Sequence, residues 1–387
     1  MTSKLIHAAI AAAFASTTFA ATTLGTSTAE ARPLAKNLFG YKRQAAALSP
    51  QVFGSYARGC VAGAARLPND GETWQAMRPS RNRHWAHPDT IDMIKRLSRD
   101  GQKIGWNGLL VGDLSQPRGG PMLTGHASHQ AGLDADIWLT PMPDRRLTRG
   151  ERETLSATSM LGSTKRRKLD NQSIGKAWTA AHRDIIRTAA EYPEVERIFV
   201  HPAIKREMCN AFPDRPKWLR KVRAQWGHHY HFHVRLGCPE GSPTCRPQKP
   251  VGNMGCGKQL NWWFEVAYAP RPKPTKKQLA ALKKKKKVKP KPRKRDIMTM
   301  RDLPQGCQVV LNASNYDGLT GNPRDFVNAG NAWAANATVP TPRPADGDTV
   351  LVNAGATDGR TPLPAATAQL ARKSKKLEAG FKPAPLR

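Results

Sequence analysis

Histidines are concentrated in one short stretch of this 387-residue chain, WGHHYHFHVRL at positions 226–236. The stretch contains four of the 11 histidines in the chain. Successive side chains of an extended segment point to opposite faces, so His229, His231 and His233 are predicted to share one face. The aromatic and aliphatic residues between them then face the core. Because imidazole is a common Zn²⁺ ligand, the H-x-H spacing predicts a strand that presents two metal ligands.

A second cluster lies upstream, in GHASHQAGLDADIWL, and contains His126, His129, Asp134 and Asp136. A catalytic zinc site needs three protein ligands and an open position, whereas H-x-H offers two at most. The loop residue His129 and the strand residue Asp136 can complete the set if their strand lies beside the H-x-H strand. Histidine, aspartate and histidine around one ion with an open position would form a hydrolytic centre.

Each of these interpretations has a structural alternative. Taken alone, the four-histidine stretch is compatible with an adventitious metal-binding surface, and the upstream H-x6-D motif argues against that. Asp134 either orients a ligand histidine or caps a local turn or strand edge. The tryptophan pair at 262–263 is predicted to pack in the core. Four other histidines are predicted to be structural: His84, His87, His182 and His201.

The elements that must position these residues are a mixture of helices and strands. Apolar spacing predicts one helix in TIDMIKRLSRDG, capped by Thr90 and ended at Gly101, and another in IGKAWTAAHRDIIRTAAEY. Strands are predicted in NGLLVGDL, DADIWL and ERIFVHP. Helices and strands do not alternate as regularly as in a doubly wound parallel sheet. We therefore predict an α+β fold, with helices packed on a mostly antiparallel central sheet.

The chain is strongly basic, with 62 Lys and Arg against 29 Asp and Glu and a net charge of +33. Such a charge favours polyanionic partners. Positions 271–295 contain 14 basic residues and no acid, and a like-charged block with prolines is expected to stay extended. From Asp317 onward Ala, Thr, Pro, Gly and Asn dominate, and we expect disorder there.

The N-terminus predicts export. Lys4 precedes the apolar run LIHAAIAAAFA, and small-residue sites follow at TFA and AEA. This pattern is typical of a secretory signal peptide, and the run is too short for a transmembrane segment. The chain also has six cysteines, none in a C-x-x-C pair. In an exported chain they predict disulfides, for which 15 connectivities exist.

Among these connectivities a nested pattern is predicted. Two cysteines enclose the short loop CPEGSPTC, one cysteine precedes the H-x-H strand and another follows it, and Cys307 lies beyond the basic block. The expected disulfides are Cys60–Cys307, Cys209–Cys256 and Cys238–Cys245. The outermost bond would tie the far end of the chain back to the folded unit.

Taken together, GHASHQAGLDADIWL and HHYHFHVRLGCP resemble the penicillin-insensitive murein endopeptidases. These belong to the zinc peptidases of the lysostaphin and D-Ala-D-Ala metallopeptidase group, which are marked by H-x6-D and a later H-x-H. The blocks GCVAGAARLP, HPDTIDMIKRLS, RIFVHPAIKREMC and WLRKVRAQWGHHYHFHVRL extend the resemblance, as do the six cysteines. It covers about positions 59–264, with a short return at LPQGCQ.

The resemblance implies a Zn²⁺ cofactor and assigns its ligands. His129, Asp136 and His233 match the zinc ligands, and His126 matches a histidine at the edge of the site that is an additional candidate for metal contact. His231 and His228 match catalytic histidines, whereas His229 has no role to transfer. His231 would accept a proton from the attacking water and pass one to the leaving amine. The implied reaction is hydrolysis of the D-alanyl–meso-diaminopimelyl cross-link of peptidoglycan in the periplasm.

The expected organisation has five segments: a signal peptide at 1–31, a zinc endopeptidase catalytic domain at 32–270, a Lys/Pro-rich basic linker at 271–298, a Cys307-containing segment at 299–316 tied back to that domain, and a disordered tail at 317–387. Peptidoglycan is the expected partner, with no nucleic acid and no transmembrane segment; a dimer is left open.

The sequence leaves two alternatives to this function open. One is a D-Ala carboxypeptidase or dipeptidase of the same zinc group, which would release a different product. The other is a basic protein that binds nucleic acid or another polyanion and has an incidental metal site. The net charge favours that second alternative, whereas the signal peptide, the cysteines and the lack of a nucleic-acid motif argue against it.

Overall fold

The computed structural model describes residues 32–162, 173–269, 274–285 and 292–317. The predicted signal peptide, most of the predicted tail and parts of the predicted linker therefore lie outside the described residues. Within the described ranges, no helix is long and apolar enough to cross a membrane.

Short strands and helices follow one another along the chain. The strands are β1 (Ala45–Ala46), β2 (Gln51–Ser55), β3 (Arg58–Ala62), β4 (Ala65–Arg66), β5 (Trp74–Ala76), β6 (Trp85–Ala86), β7 (Leu109–Val111), β8 (Asp134–Pro141), β9 (Val195–Val200), β10 (Val222–Ala224), β11 (His231–Leu236) and β12 (Asn315–Tyr316). The α-helices are α1 (Ala35–Gly40), α2 (Pro88–Gln102), α3 (Arg149–Thr154), α4 (Ala180–Glu191), α5 (Pro202–Ala211), α6 (Lys258–Trp262), α7 (Lys276–Lys285), α8 (Lys294–Ile297) and α9 (Gly306–Asn312).

The main sheet has six strands in the order β10-β9-β11-β8-β7-β5. Its three central pairings are antiparallel, and its two outer pairings are parallel. Apolar side chains of α2 and α4 pack with those of β8, β9 and β11 in the largest hydrophobic cluster. The predicted α+β class with a mostly antiparallel central sheet is confirmed.

The helices were predicted in the right places, but their beginnings were wrong. α2 begins at Pro88 and is capped by His87, whose Nδ1 accepts a hydrogen bond from the amide of Asp89 at 3.3 Å. Proline is preorganised for the first helical position, so the helix starts before the predicted cap Thr90. The hydroxyl of Thr90 instead donates to the carbonyl of Gly132 at 3.0 Å. The helix also continues through Gly101 to Gln102.

The second predicted helix begins later than expected, at Ala180. The preceding residues form a turn, in which the amide of Trp178 donates to the carbonyl of Gly175 at 3.2 Å. Thr179 and His182 then form the helix cap. The sequence pattern predicted too early a start for this helix because the segment before the cap is also rich in apolar residues.

Part of the basic linker is helical, so the expectation of an extended chain is wrong for α7. Thr275 and Gln278 cap this helix reciprocally, each accepting a hydrogen bond from the other's amide. Positions 276–285 contain only Lys, Gln, Leu and Ala, all good helix formers, and no proline. These local preferences oppose the mutual repulsion of the lysines.

The two ends of the described chain are joined. β1 pairs antiparallel with β12, and α1 and α9 contribute to one hydrophobic cluster that also contains Cys60. The fully buried Arg118 donates to the carbonyls of Val310 and Leu311 at 2.7 and 2.9 Å, and also contacts the carbonyl of Ala45. The C-terminal segment is therefore an integral part of the domain.

The six cysteines form three disulfides, at the pairs expected from the sequence: Cys60–Cys307, Cys209–Cys256 and Cys238–Cys245. Their sequence separations are 247, 47 and 7 residues. The first bond closes nearly the whole folded chain into one loop.

Replacing Cys60 and Cys307 together by serine is expected to lower the free energy of unfolding by about 2–5 kcal/mol, because the bond restricts a very long loop in the unfolded chain. The matched control replaces Cys238 and Cys245 by serine and should lose less, because its loop is short. Guanidinium chloride unfolding measures both losses, and non-reducing peptide mapping checks the pairs. An equal or larger loss in the control would contradict the argument.

Candidate active site

The register between β8 and β11 positions the site. Asp136 lies directly opposite His233, and Trp138 lies opposite His231. Because side chains alternate along a strand, His231 and His233 point to the same side of the sheet as Asp136. The intervening Phe232 is fully buried on the other side, in the main core.

His229 does not share this face, so the predicted set of three aligned histidines was wrong for this residue. β11 begins only at His231, after a turn in which Gly227 and His228 have positive φ angles. The Nδ1 atom of His229 instead contacts the hydroxyl of Ser159 at 2.9 Å. His229 lies outside the site because β11 starts two residues after it. The residue pattern does not reveal where the strand starts.

Four imidazoles surround the carboxylate of Asp136. Their distances to its oxygens are 3.2 Å for His233 Nδ1, 3.4 Å for His129 Nε2, 3.6 Å for His231 Nε2 and 3.6 Å for His126 Nδ1. Two ligand atoms of a tetrahedral zinc ion, each about 2.0–2.2 Å from it, lie roughly 3.3–3.5 Å apart. The spacing of the predicted ligands around Asp136 therefore suits one metal ion.

Two of these imidazoles are hydrogen-bonded through their opposite ring nitrogen, and that of His233 lies at ion-pair distance from a carboxylate. The contacts are His129 Nδ1 with the carbonyl of Leu114 at 2.8 Å, His126 Nε2 with the carboxylate of Asp113 at 3.0 Å, and His233 Nε2 with the carboxylate of Asp134 at 3.0 Å. Such acceptors fix the tautomer of a metal-binding histidine and orient its ring. The nitrogen that faces Asp136 is then the one available to a metal ion in each ring.

Unpartnered polar atoms mark the same place. Nε2 of His129 and Oδ1 of Asp136 are buried without a hydrogen-bond partner, an arrangement that costs free energy unless another group satisfies the atoms. Two candidate ligand groups overlap here: His126, His129 and Asp136, and His129, Asp134 and His233. The donor set of nitrogen and carboxylate oxygen fits Zn²⁺.

Asp134 makes contacts of both kinds predicted for it, since it lies 3.0 Å from Nε2 of His233 and also binds a local backbone amide. It is buried and accepts a hydrogen bond from the backbone amide of His129 at 2.8 Å and one from Arg235 Nε at 2.7 Å. Burial alone would raise the pKa of this carboxyl. The charges of Arg235 and His233 outweigh burial and hold its pKa well below the usual value.

Asp113 was not singled out from the sequence, although it holds His126. Its carboxylate is buried and also receives Arg81 at 3.1 Å and Arg83 at 2.9 Å. Burial opposes ionisation, but His126 and the two arginines lower its pKa. The available signal was an acidic residue near the end of the predicted strand NGLLVGDL, which is too common to indicate a site.

His231 and His228 lie beside the candidate ligands. Their ring centroids are 4.9 Å apart, and that of His228 is 5.9 Å from His233. Burial lowers the pKa of His231 to about 4, despite the nearby Asp136. Burial, together with the neighbouring histidines, also holds the pKa of His228 well below its usual value. Burial therefore favours the neutral form of both rings.

His129 and His228 both have left-handed backbone conformations, with φ angles of 66° and 53°. Such angles are uncommon outside glycine and are found more often at functional sites than elsewhere. In each residue the turn directs the ring toward Asp136 or its neighbours.

The four histidines predicted to be structural make contacts of that kind. His84 and His182 reach the carbonyls of Met77 and Leu139 at 2.9 and 2.8 Å, and His87 and His201 cap helices. Trp263 is buried and packs against the ring of Trp226 at 5.0 Å between centroids.

The protein is an α+β domain. Its buried cluster of imidazoles around one carboxylate is a site able to hold a metal ion. Residues 52–312 match the family model described as penicillin-insensitive murein endopeptidase. The chain belongs to this family, as the resemblance in its motifs predicted.

Three proteins named penicillin-insensitive murein endopeptidase are among its relatives. The one from Haemophilus influenzae is 42% identical over 224 residues, covering 57% of this chain and 74% of that protein. The one from Yersinia enterocolitica is 41% identical over 230 residues, covering 59% and 81%. The one from Escherichia coli O1:K1 / APEC is 41% identical over 233 residues, covering 59% and 82%.

Separate replacement of His129, Asp136 and His233 by alanine is expected to abolish zinc retention, because each change removes a candidate ligand. Elemental analysis of the purified variants measures the bound zinc. The matched control is His229→Ala, a neighbouring histidine outside the cluster, which should retain zinc like the wild type. Full zinc occupancy in one of the three variants would remove that residue from the ligand set.

Proposed function

We propose that this protein is an exported, zinc-dependent endopeptidase that hydrolyses the D-alanyl–meso-diaminopimelyl cross-link of peptidoglycan. The proposed ligands are His129, Asp136 and His233, with His126 as an additional metal contact. The main support is the convergence of imidazole nitrogens on Asp136, with the opposite nitrogen of two rings already hydrogen-bonded. Membership of a family of murein endopeptidases supplies the substrate class.

A bound zinc ion would polarise the scissile carbonyl and bring the pKa of water to about 7. The protein's part in the proposed mechanism is to move the proton. His231 lies 3.6 Å from Asp136, so it is placed to accept a proton from the attacking water and return it to the leaving amine. His228 lies beside His231 and is proposed as the second catalytic histidine.

The proposed organisation follows from this role. A signal peptide at 1–31 would export the chain to the periplasm, where the catalytic domain at 32–270 meets its substrate. The Cys307-containing segment at 299–316 completes that domain, the basic linker at 271–298 leads into this segment, and the tail at 317–387 follows it. Peptidoglycan carries many carboxylates, to which a chain of net charge +33 is attracted.

Digestion of defined muropeptide dimers tests the reaction. The protein is expected to convert D-alanyl–meso-diaminopimelyl dimers into monomers, as judged by product masses. Chelation should stop the reaction and added Zn²⁺ should restore it. Release of free D-Ala without dimer cleavage would instead indicate a carboxypeptidase. An absence of cleavage together with salt-sensitive DNA binding would replace the enzyme by a polyanion-binding protein.

His231→Ala is expected to keep zinc and to lower kcat by roughly 10²–10⁴-fold, the usual contribution of a general acid–base group. Zinc content and steady-state kinetics on the same preparation separate the two roles. His229→Ala, two residues earlier, serves as the control and should keep both zinc and activity. If His231→Ala loses its zinc together with its activity, His231 is a ligand.

A further inference from the structure

The loop that carries His126 has no regular secondary structure over positions 123–128. Thr124, Gly125 and Ala127 in this loop are exposed, and Gly125 has a φ angle of +87°. The side chain of His126 is held by Asp113. Its backbone needs a separate anchor, because an exposed irregular loop with a glycine has many alternative conformations.

Two arginines hold three consecutive carbonyl groups of this loop. Arg83 donates to the carbonyl of Thr124 at 2.9 Å. Arg295 donates to the carbonyl of His126 at 2.7 Å and also to that of Gly125. Both guanidinium groups are nearly buried, with 10% and 7% of the side chains exposed. Nη1 of Arg295 donates to both of its carbonyl partners, and a buried cation that bonds two adjacent carbonyls fixes the backbone between them.

Arg295 comes from α8, which lies at the C-terminal end of the predicted basic linker. Its guanidinium is oriented by Asp296 at 2.8 Å, and Asp296 also contacts Lys36 at 3.4 Å. Nearby, the buried Met298 accepts a hydrogen bond from the amide of Ala35 at 2.8 Å. The position of Arg295 is therefore set by contacts with the folded domain, and this end of the predicted linker packs against that domain.

We propose that Arg295 is a positioning residue of the active site, which holds the backbone of the His126 loop so that His126 reaches the metal. The proposal rests on the function proposed above for the site. It gives the end of the Lys/Pro-rich linker a task that the sequence did not suggest. If loss of this anchor leaves the loop correctly placed for only a tenth of the time, the apparent metal affinity falls tenfold.

Arg295→Ala in the full chain tests the proposal. The expected result is a zinc affinity about tenfold weaker, within the 10–100-fold effects of groups that support metal ligands, and a similar fall in kcat/KM on muropeptide dimers. The zinc dissociation constant is measured by chelator competition well below the melting temperature, where a general loss of stability has no effect on it. Arg295→Lys keeps the charge but loses the two bonds from Nε and Nη2 to Asp296 that orient the group, and should give an intermediate affinity.

The matched control is Arg293→Ala, which removes an exposed arginine two residues earlier and should leave zinc affinity unchanged. Equal zinc affinities for Arg295→Ala, Arg293→Ala and the wild type would overturn the proposal. Should Arg295→Ala not fold, Arg295→Lys takes its place, and a wild-type affinity in that variant would be equally decisive.

Hydrogen exchange of the loop amides separates this proposal from the function on which it rests. Arg295→Ala should speed exchange at positions 124–128 even in zinc-free protein, because the anchor acts on the backbone itself. Unchanged exchange would refute the anchor whatever the enzyme does. Failure of the wild type to bind zinc or cleave dimers would refute the proposed function and leave the exchange result standing.

Discussion

The pairing of β8 with β11 is the constraint on which the site depends. It sets Asp136 opposite His233 in the middle of the six-stranded sheet. A slip of one residue would turn the histidines of β11 into the core and bring Phe232 to the site. Phe232 is fully buried beneath the helices of the main core, so the hydrophobic effect that stabilises the fold also fixes the register of the site.

The buried carboxylates of this region differ in how their charge is balanced. Asp113 is paired with arginines, and Asp134 with Arg235. The ion-pair partners of Asp136 among the described residues are all histidines. A buried carboxylate without a permanent cation is costly. A divalent cation bound by the same histidines would supply that charge, which explains why a strongly basic protein leaves this position without Lys or Arg.

The features of the fold and the site that could be predicted from the sequence are those that local residue patterns determine. Alternation predicted that His231 and His233 share a face, and the motif with its family resemblance placed Asp136 beside them. The exclusion of His229 depends on where a strand starts, which no local pattern marks. Asp113 and Arg295 act on His126 through tertiary contacts between distant segments. The roles of these two residues are apparent only from the folded structure.

The joined ends of the described chain have a consequence for the order in which the molecule is completed. β1 is synthesised early. Its partner β12, and the carbonyl groups of Val310 and Leu311 that Arg118 binds, are synthesised near the end of the described chain. Contacts so far apart in sequence form late in folding. A nascent chain can therefore build the central sheet before the C-terminal segment arrives, but not the finished domain. The folded domain can therefore be completed only after almost all of the described chain has been synthesised.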